Sequence, residues 1–276
     1  MSKPILYRFE GSVWAAVPEL AFQELGYTDE VVQERVNLME GGNFELSYVK
    51  TSPQATLPAL VTPDGQLYDS TIKVTRYLID NAPANAKIGK SIGEEILEIV
   101  HEDKIDPNFF MVAARNPEEL KVKNAGASGA FFRGRQVTLE RVAPTVPPEL
   151  KAFYDAKLAG NGGAIAIYTG AAPADKVEGY FKASQQNWDA VANFVTVVLP
   201  KYLPAQGFTG GDAPGEADFH IGAWLARIAA VLGAKNEKDA WKIFAAFGEV
   251  PASVSQYWQT WQARESWSVV YKGGLH

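Results

Sequence analysis

The sequence predicts a small mixed α/β domain followed by a longer all-helical domain, and three observations predict it. Ile5 to Phe9 form a short strand-like run, after which Val13 to Leu25 switch to helical spacing through Val17, Leu20, Ala21 and Leu25. Pro63-Asp64-Gly65 stands between two apolar runs as a turn, because proline presets φ and glycine takes a positive-φ site. Beyond Pro83 to Lys90, rich in Ala and Asn, strand alternation does not return and apolar residues fall three and four apart. The expected domains are residues 1–84 and 92–276.

Taken in order, the opening strand and helix end at Gly26, a residue suited to stopping a helix. Glu30 to Leu38 alternate through Val32, Arg35, Val36 and Leu38 as a second strand. A polar stretch around Asn43 to Lys50 leads to a third strand, Leu57-Pro-Ala-Leu-Val-Thr62, and Gln66 to Tyr68 pair back on it as a hairpin. Ser70 to Leu78 reads as a helix. The order βαβ then ββα describes a small mixed sheet with helices on both faces. In the second domain Glu94 to Val100, Phe181 to Leu199, Phe219 to Leu232 and Val254 to Arg264 have helical periodicity. Ala125 to Ala174 is rich in Gly, Ala and Pro with several basic residues, and only one short helix is expected there, near Glu149 to Leu158.

With 276 residues, 47% of them apolar and 21% charged, the chain has ordinary globular composition. Its net charge of -6 argues against a nucleic-acid partner, since affinity for a phosphate backbone comes from clustered Lys and Arg. No apolar run reaches the roughly 20 residues needed to span a bilayer, and Arg8 and Glu10 interrupt the opening stretch where a signal peptide would be apolar. A cytoplasmic location and no membrane partner are therefore expected. Cysteine is absent, which excludes disulfides, thiolate nucleophiles and cysteine-ligated metal. His101, His220 and His276 have no partner at metal-ligand spacing, so no metal site is expected. Gly160-Asn161-Gly162-Gly163 lacks the last glycine of G-x-G-x-x-G and any lysine at Walker spacing, and is read as a flexible loop.

Three places carry residues able to hold a small ligand. Ser12 opens the first helix, where its hydroxyl either caps the helix or donates to an anion supported by the helix N-terminus. Leu57-Pro58 precedes the third strand; in the cis form Leu57 would turn its N–H and C=O toward an extended peptide, and in the commoner trans form it is simply a turn. Asp69-Ser70 precede a helix and either cap it or take the two charges of an amino-acid end. All three fall at one end of the expected sheet, which suits a small peptide with a thiol and a γ-glutamyl end.

Leu6-Tyr7 with Ser12, the segment Tyr48-Val-Lys-Thr-Ser-Pro53-Gln-Ala-Thr-Leu-Pro58-Ala-Leu, and Asp69-Ser70 resemble the serine-type glutathione transferases. The resemblance implies a thioredoxin-like N-terminal domain, an all-α C-terminal domain, glutathione as co-substrate with no other cofactor, and a homodimer. It implies that Ser12 activates the glutathione thiol. It further implies that Thr56, Leu57 and a cis Pro58 meet the cysteinyl backbone, and that Asp69 and Ser70 hold the γ-glutamyl end; Asn43 falls near the family's position for the glycyl carboxylate. Gly211-Asp-Ala-Pro-Gly-Glu-Ala-Asp218 resembles the family's folding motif, with Gly215 where Ser or Thr usually caps, a weaker cap by a few tenths of a kcal/mol. More narrowly, Gly11-Ser-Val-Trp-Ala-Ala-Val-Pro-Glu-Leu-Ala and Asn37-Leu-Met-Glu-Gly-Gly-Asn-Phe44 resemble the fungal-specific, etherase-related class A transferases. That class binds aromatic natural products, including wood-derived phenolics. Trp14, Phe109, Phe110 and Met111 are candidates for a wall against such a molecule, in a detoxifying enzyme or in a non-catalytic carrier, a ligandin.

Overall fold

Four strands form the N-terminal sheet in the order β2-β1-β3-β4, in a computed structural model that describes residues 2–276. β1 (Ile5–Arg8) runs parallel to β2 (Val32–Arg35) and antiparallel to β3 (Ala59–Val61), which pairs antiparallel with β4 (Leu67–Tyr68). The parallel pair requires a crossover, and α1 (Val13–Glu24) supplies it. Leu6 on β1 and Leu60 on β3 stand in register and are both fully buried. The hairpin turns at Gly65, φ 87°, with the Gly65 N–H donating to the Thr62 carbonyl at 2.9 Å. α3 (Thr71–Asp80) covers the sheet beside α1, and the whole is a thioredoxin-like unit.

The strands are shorter than the apolar runs that signal them, because pairing stops where a neighbour ends. Within the N-terminal domain one α-helix was not expected: α2 (Leu46–Thr51) occupies the polar stretch after Asn43, its Tyr48 and Val49 buried. Those two adjacent residues are too short a pattern for helical periodicity to register.

The C-terminal part is helical. α4 (Glu95–Val100), α5 (Pro107–Val112) and α6 (Pro117–Ala125) lead to α7 (Ala127–Val142), α8 (Pro148–Thr169) and α9 (Ala174–Asn193), followed by α10 (Glu216–Val231), α11 (Ala252–Gln262) and α12 (Glu265–Val270). α10 is buried all along from Ala217 to Ala229, including Asp218, His220 and Arg227, as a helix at the centre of a core is. Trp224 on it and Trp258, Trp261 and Trp267 around it are the largest buried side chains.

The segment Ala125 to Ala174 differs most from expectation. It is two long helices, α7 and α8, packed against each other, and Gly160-Asn161-Gly162-Gly163 lies inside α8 rather than in a loop. Asn161 is buried and donates through Nδ2 to the Phe132 carbonyl at 2.9 Å and to Gln136 Oε1 at 2.8 Å, which anchors the glycine stretch to α7. α7 in turn lies on the N-terminal domain: Thr138 Oγ1 donates to the Glu40 carbonyl, and Tyr154 Oη of α8 donates to the Phe44 carbonyl at 2.7 Å. Long-range contacts of this kind outweigh local glycine content.

Before α10, three glycines let two backbones cross. A Cβ on Gly89 would stand 2.1 Å from the Ala213 carbonyl oxygen, one on Gly210 2.6 Å from the Gly215 nitrogen, and one on Gly215 2.6 Å from the Lys90 carbonyl oxygen. The crossing is sewn by Gly89 N–H to Pro214 O and Lys90 N–H to Gly210 O, each 2.9 Å. Gly215 is therefore required by the passage of residues 89–90 and is not simply a weak cap. The cap is supplied from the other side, by fully buried Asp218. Its carboxylate accepts the N–H groups of Thr209 (2.9 Å), Gly210 (2.9 Å) and Gly215 (2.8 Å) and the Tyr257 hydroxyl (2.9 Å).

Two stability outcomes follow from these glycines. Gly160→Ala and Gly163→Ala add a methyl where nothing lies within 4 Å, so each raises stability by about 0.5–1 kcal/mol, read as a higher Tm; an unchanged or lower Tm would contradict the helical assignment. Gly215→Ser, which restores the commoner capping residue, lowers stability by more than about 1 kcal/mol in denaturant unfolding, because its Cβ meets the Lys90 carbonyl; a gain would contradict the crossing.

Candidate functional site

A cavity of about 680 Å³ opens between the sheet and α5, α7 and α8, and its wall includes Ser12, Asn43, Thr56, Leu57, Pro58, Asp69 and Ser70. Each is held there by a local feature. Ser12 is the N-cap of α1: its Oγ accepts the Ala15 N–H at 3.3 Å and its own N–H donates to the Phe9 carbonyl at 3.0 Å. A hydroxyl that accepts a cap bond keeps its proton to donate elsewhere, so capping and ligand binding are compatible at this residue. From the helical side, Arg227 of α10 donates to the Gly11 carbonyl at 2.6 Å and to Met111 Sδ at 2.9 Å. Burial holds that guanidinium down to about 10. The turn that presents Ser12 is thus tied to both halves of the chain.

The Leu57-Pro58 bond is cis. Among the described residues no backbone hydrogen bond outside the strands uses the Leu57 N–H or carbonyl. The loop before it is fixed by Tyr48 Oη donating to the Thr56 carbonyl and Asn43 Nδ2 donating to the Ala55 carbonyl, each at 2.7 Å. Ala55 has φ 54°, a left-handed conformation that costs a non-glycine residue about 1 kcal/mol or more and that these bonds hold in place. Asn43 lines the cavity; its Nδ2 donates one N–H to this loop, and its Oδ1 is buried without a partner.

Ser70 caps α3 through Oγ, which accepts the Lys73 N–H at 3.3 Å. Asp69 Oδ1 accepts Lys73 Nζ at 2.9 Å, and that bond holds the Asp69 carboxyl below its ordinary range. At neutral pH this corner offers a carboxylate for an ammonium and helix N–H groups for a carboxylate.

Trp14, Phe109 and Met111 line the cavity and Phe110 does not. Successive residues of a helix are about 100° apart, and Phe110 turns away to stack on Trp188 at 5.5 Å, lining a separate cavity of about 420 Å³ with Arg115 and Lys123. The wall also holds His101, read from sequence only as having no metal-ligand partner, and residues that the sequence did not assign to a site: Phe131, Phe132 and Arg135 of α7 and Lys157 of α8, whose segment reads as irregular in sequence.

His101 stacks on Trp14 at 4.2 Å and shares a hydrogen bond of 2.8 Å with Nδ1 of fully buried His220. His220 Nε2 has no partner, which is tolerable for a bare acceptor and costly for an N–H; we assign the proton to His220 Nδ1, donating to His101 Nε2. Burial lowers His101 to about 4 and His220 well below its usual value, so the pair is neutral across physiological pH.

Residues 6–86 match the family described as glutathione S-transferase, N-terminal domain. Solved structures with the same fold include the β-etherase LigF of Sphingobium sp. (14% identity, TM-score 0.63, 99% of this chain and 100% of that one). They also include Gtt2 of Saccharomyces cerevisiae (17%, TM-score 0.51, 96% and 99%) and a glutathione transferase homolog from Sulfitobacter with bound glutathione (14%, TM-score 0.52, 100% and 100%). A search of curated proteins returned no significant match. The fold is that of these glutathione transferase structures, and the N-terminal family match covers residues 6–86.

The histidine pair has a pH signature. Unfolded histidines titrate near 6.5, so the unfolded chain binds more protons between about 4 and 6.5, and stability contributed by neutral His101 is lost as pH falls through that window. Glu19, raised to about 7 by burial, acts oppositely over the range above the ordinary carboxylate value, so the difference between variants is the informative quantity. His101→Phe keeps a ring beside Trp14 and loses less stability than the unmodified chain between pH 6.5 and 4.5 in denaturant titrations; equal losses would reject the assignment.

Proposed function

We propose that this chain is a serine-type glutathione transferase that adds the glutathione thiolate to hydrophobic, aromatic electrophiles. The observation that carries the reading is one cavity holding the Ser12 hydroxyl, the Leu57-Pro58 backbone and the Asp69-Ser70 corner on one side, and Trp14, Phe109 and Met111 on the other. In this reading the γ-glutamyl end sits at Asp69 and Ser70, its ammonium on the carboxylate and its carboxylate on the α3 N-terminus. The cysteinyl backbone pairs with Leu57, beside Thr56 and Pro58, while Asn43 holds the loop that presents them.

The glutathione sulfur then lies at the start of α1. A free thiol has a pKa near 8.5 and only the thiolate attacks, so a hydroxyl donor and the positive helix end raise the reactive fraction at neutral pH. The thiolate forms a carbon–sulfur bond as the leaving group departs with its electron pair. A chain with no cysteine forms no mixed disulfide of its own, so the chemistry is conjugation or glutathione-dependent ether cleavage. The resemblance to etherase-related class A transferases extends this to phenolic or wood-derived compounds, detoxified in the cytoplasm by a homodimer.

The apolar wall also favours a second reading, a carrier of aromatic natural products that does no chemistry. Turnover separates the two. With glutathione and chlorodinitrobenzene, Ser12→Ala lowers kcat by about 10²-fold while glutathione affinity changes by only a few fold. Unchanged turnover defeats the role of Ser12, and displacement of an aromatic dye by phenolics without any turnover selects the carrier.

A further inference from the structure

Arg135 is a cation without a counter-ion inside this cavity. It follows Gly134 on α7, where a Cβ would stand 2.0 Å from the Met39 carbonyl oxygen, so the glycine brings the helix down onto the N-terminal domain. The Arg135 guanidinium carbon lies 4.7 Å from the ring centroids of both Phe44 and Phe131. Its side chain makes no hydrogen bond or ion pair among the described residues, and its Nε is buried without a partner. Rings stack on a guanidinium through its faces and leave the N–H edge for a ligand. Neither carboxylate lining the cavity pairs with Arg135: Asp69 accepts from Lys73, and Asp106 from the N–H groups of Asn108 and Phe109. Lys157 of α8 lines the same cavity, 5.2 Å from the Phe153 centroid, and has no ion pair. Burial lowers Arg135 to about 10, still charged at neutral pH. A half-buried cation with no counter-ion is unfavourable by itself, and a planar fork matches a planar two-oxygen anion.

We propose that Arg135, supported by Lys157, receives a ligand carboxylate. This deepens the glutathione-site reading and rests on it for one of two sources: the glycyl carboxylate of glutathione, or a carboxylate on the aromatic co-substrate.

The test is calorimetric titration of the full chain at pH 7 with two acid–ester pairs, glutathione with its glycyl ethyl ester and 4-hydroxycinnamate with its methyl ester. The unmodified chain binds the acid of at least one pair about tenfold or more tighter than the ester, Arg135→Met removes that preference, and Arg135→Lys recovers part of it. The pair whose preference collapses identifies the source. Arg135→Gln carries the same comparison should the Met variant not fold. No acid preference in the unmodified chain, or a preference unchanged in the variants, overturns the proposal. If neither glutathione nor its ester binds, the glutathione-site reading fails, and the cinnamate pair alone decides whether Arg135 takes a carboxylate.

Discussion

Helix α1 is buried on nearly every side, and its packing sets the position of everything at the site. Val13, Ala15, Ala16, Val17, Leu20 and Ala21 have no solvent exposure, and one continuous core runs from Leu6 and Leu60 across α1 to Phe219, Trp224 and Ile228 of α10. Each large apolar side chain in such a core contributes about 1.5–3 kcal/mol relative to exposure. Ser12 is therefore placed by the burial of the helix it caps, with Arg227 reaching from α10 to the carbonyl just before it. The sheet side of the cavity and α5 share that interior, whereas α7 and α8 pack on the N-terminal domain through a separate cluster of Phe44, Val49, Ala55, Leu139, Val142 and Tyr154.

Polar groups inside this core are few and mostly have partners. Asp218 has four donors, and His220 has His101. Trp258 Nε1, Trp261 Nε1 and Tyr271 Oη are buried without a partner, and so is one oxygen of Glu19, whose other oxygen is 3.5 Å from Arg8 and whose carboxyl burial raises to about 7. Arg135 Nε is another such atom, on the cavity wall. A structural pair explains its own existence, whereas an unpaired cation facing open volume is explained by something that enters.

Glycine has opposite meanings at different places in this chain. At Gly89, Gly210, Gly215 and Gly134 the missing Cβ is filled by another backbone atom, and the fold needs the space. At Gly160 and Gly163 nothing is near, and glycine only costs helix stability. No local pattern separates these cases, since both are glycines among small or polar neighbours.

What the sequence by itself determined are the features encoded within a few residues: the strand runs, the 3.6-residue period of α1 and α10, the Pro63-Asp64-Gly65 turn, and the serines that cap α1 and α3. These rest on backbone sterics and nearest-neighbour hydrogen bonds, so they read without a partner. Only the tertiary structure decided that Ala125 to Ala174 is a helix pair, that Phe110 faces away from the cavity while Phe109 and Met111 face it, and that Arg135 stands unpaired between two rings. The physical reason is distance along the chain. Those outcomes depend on contacts such as Thr138 with Glu40 and Tyr154 with Phe44, made by groups about a hundred residues apart, which leave no mark on the local pattern.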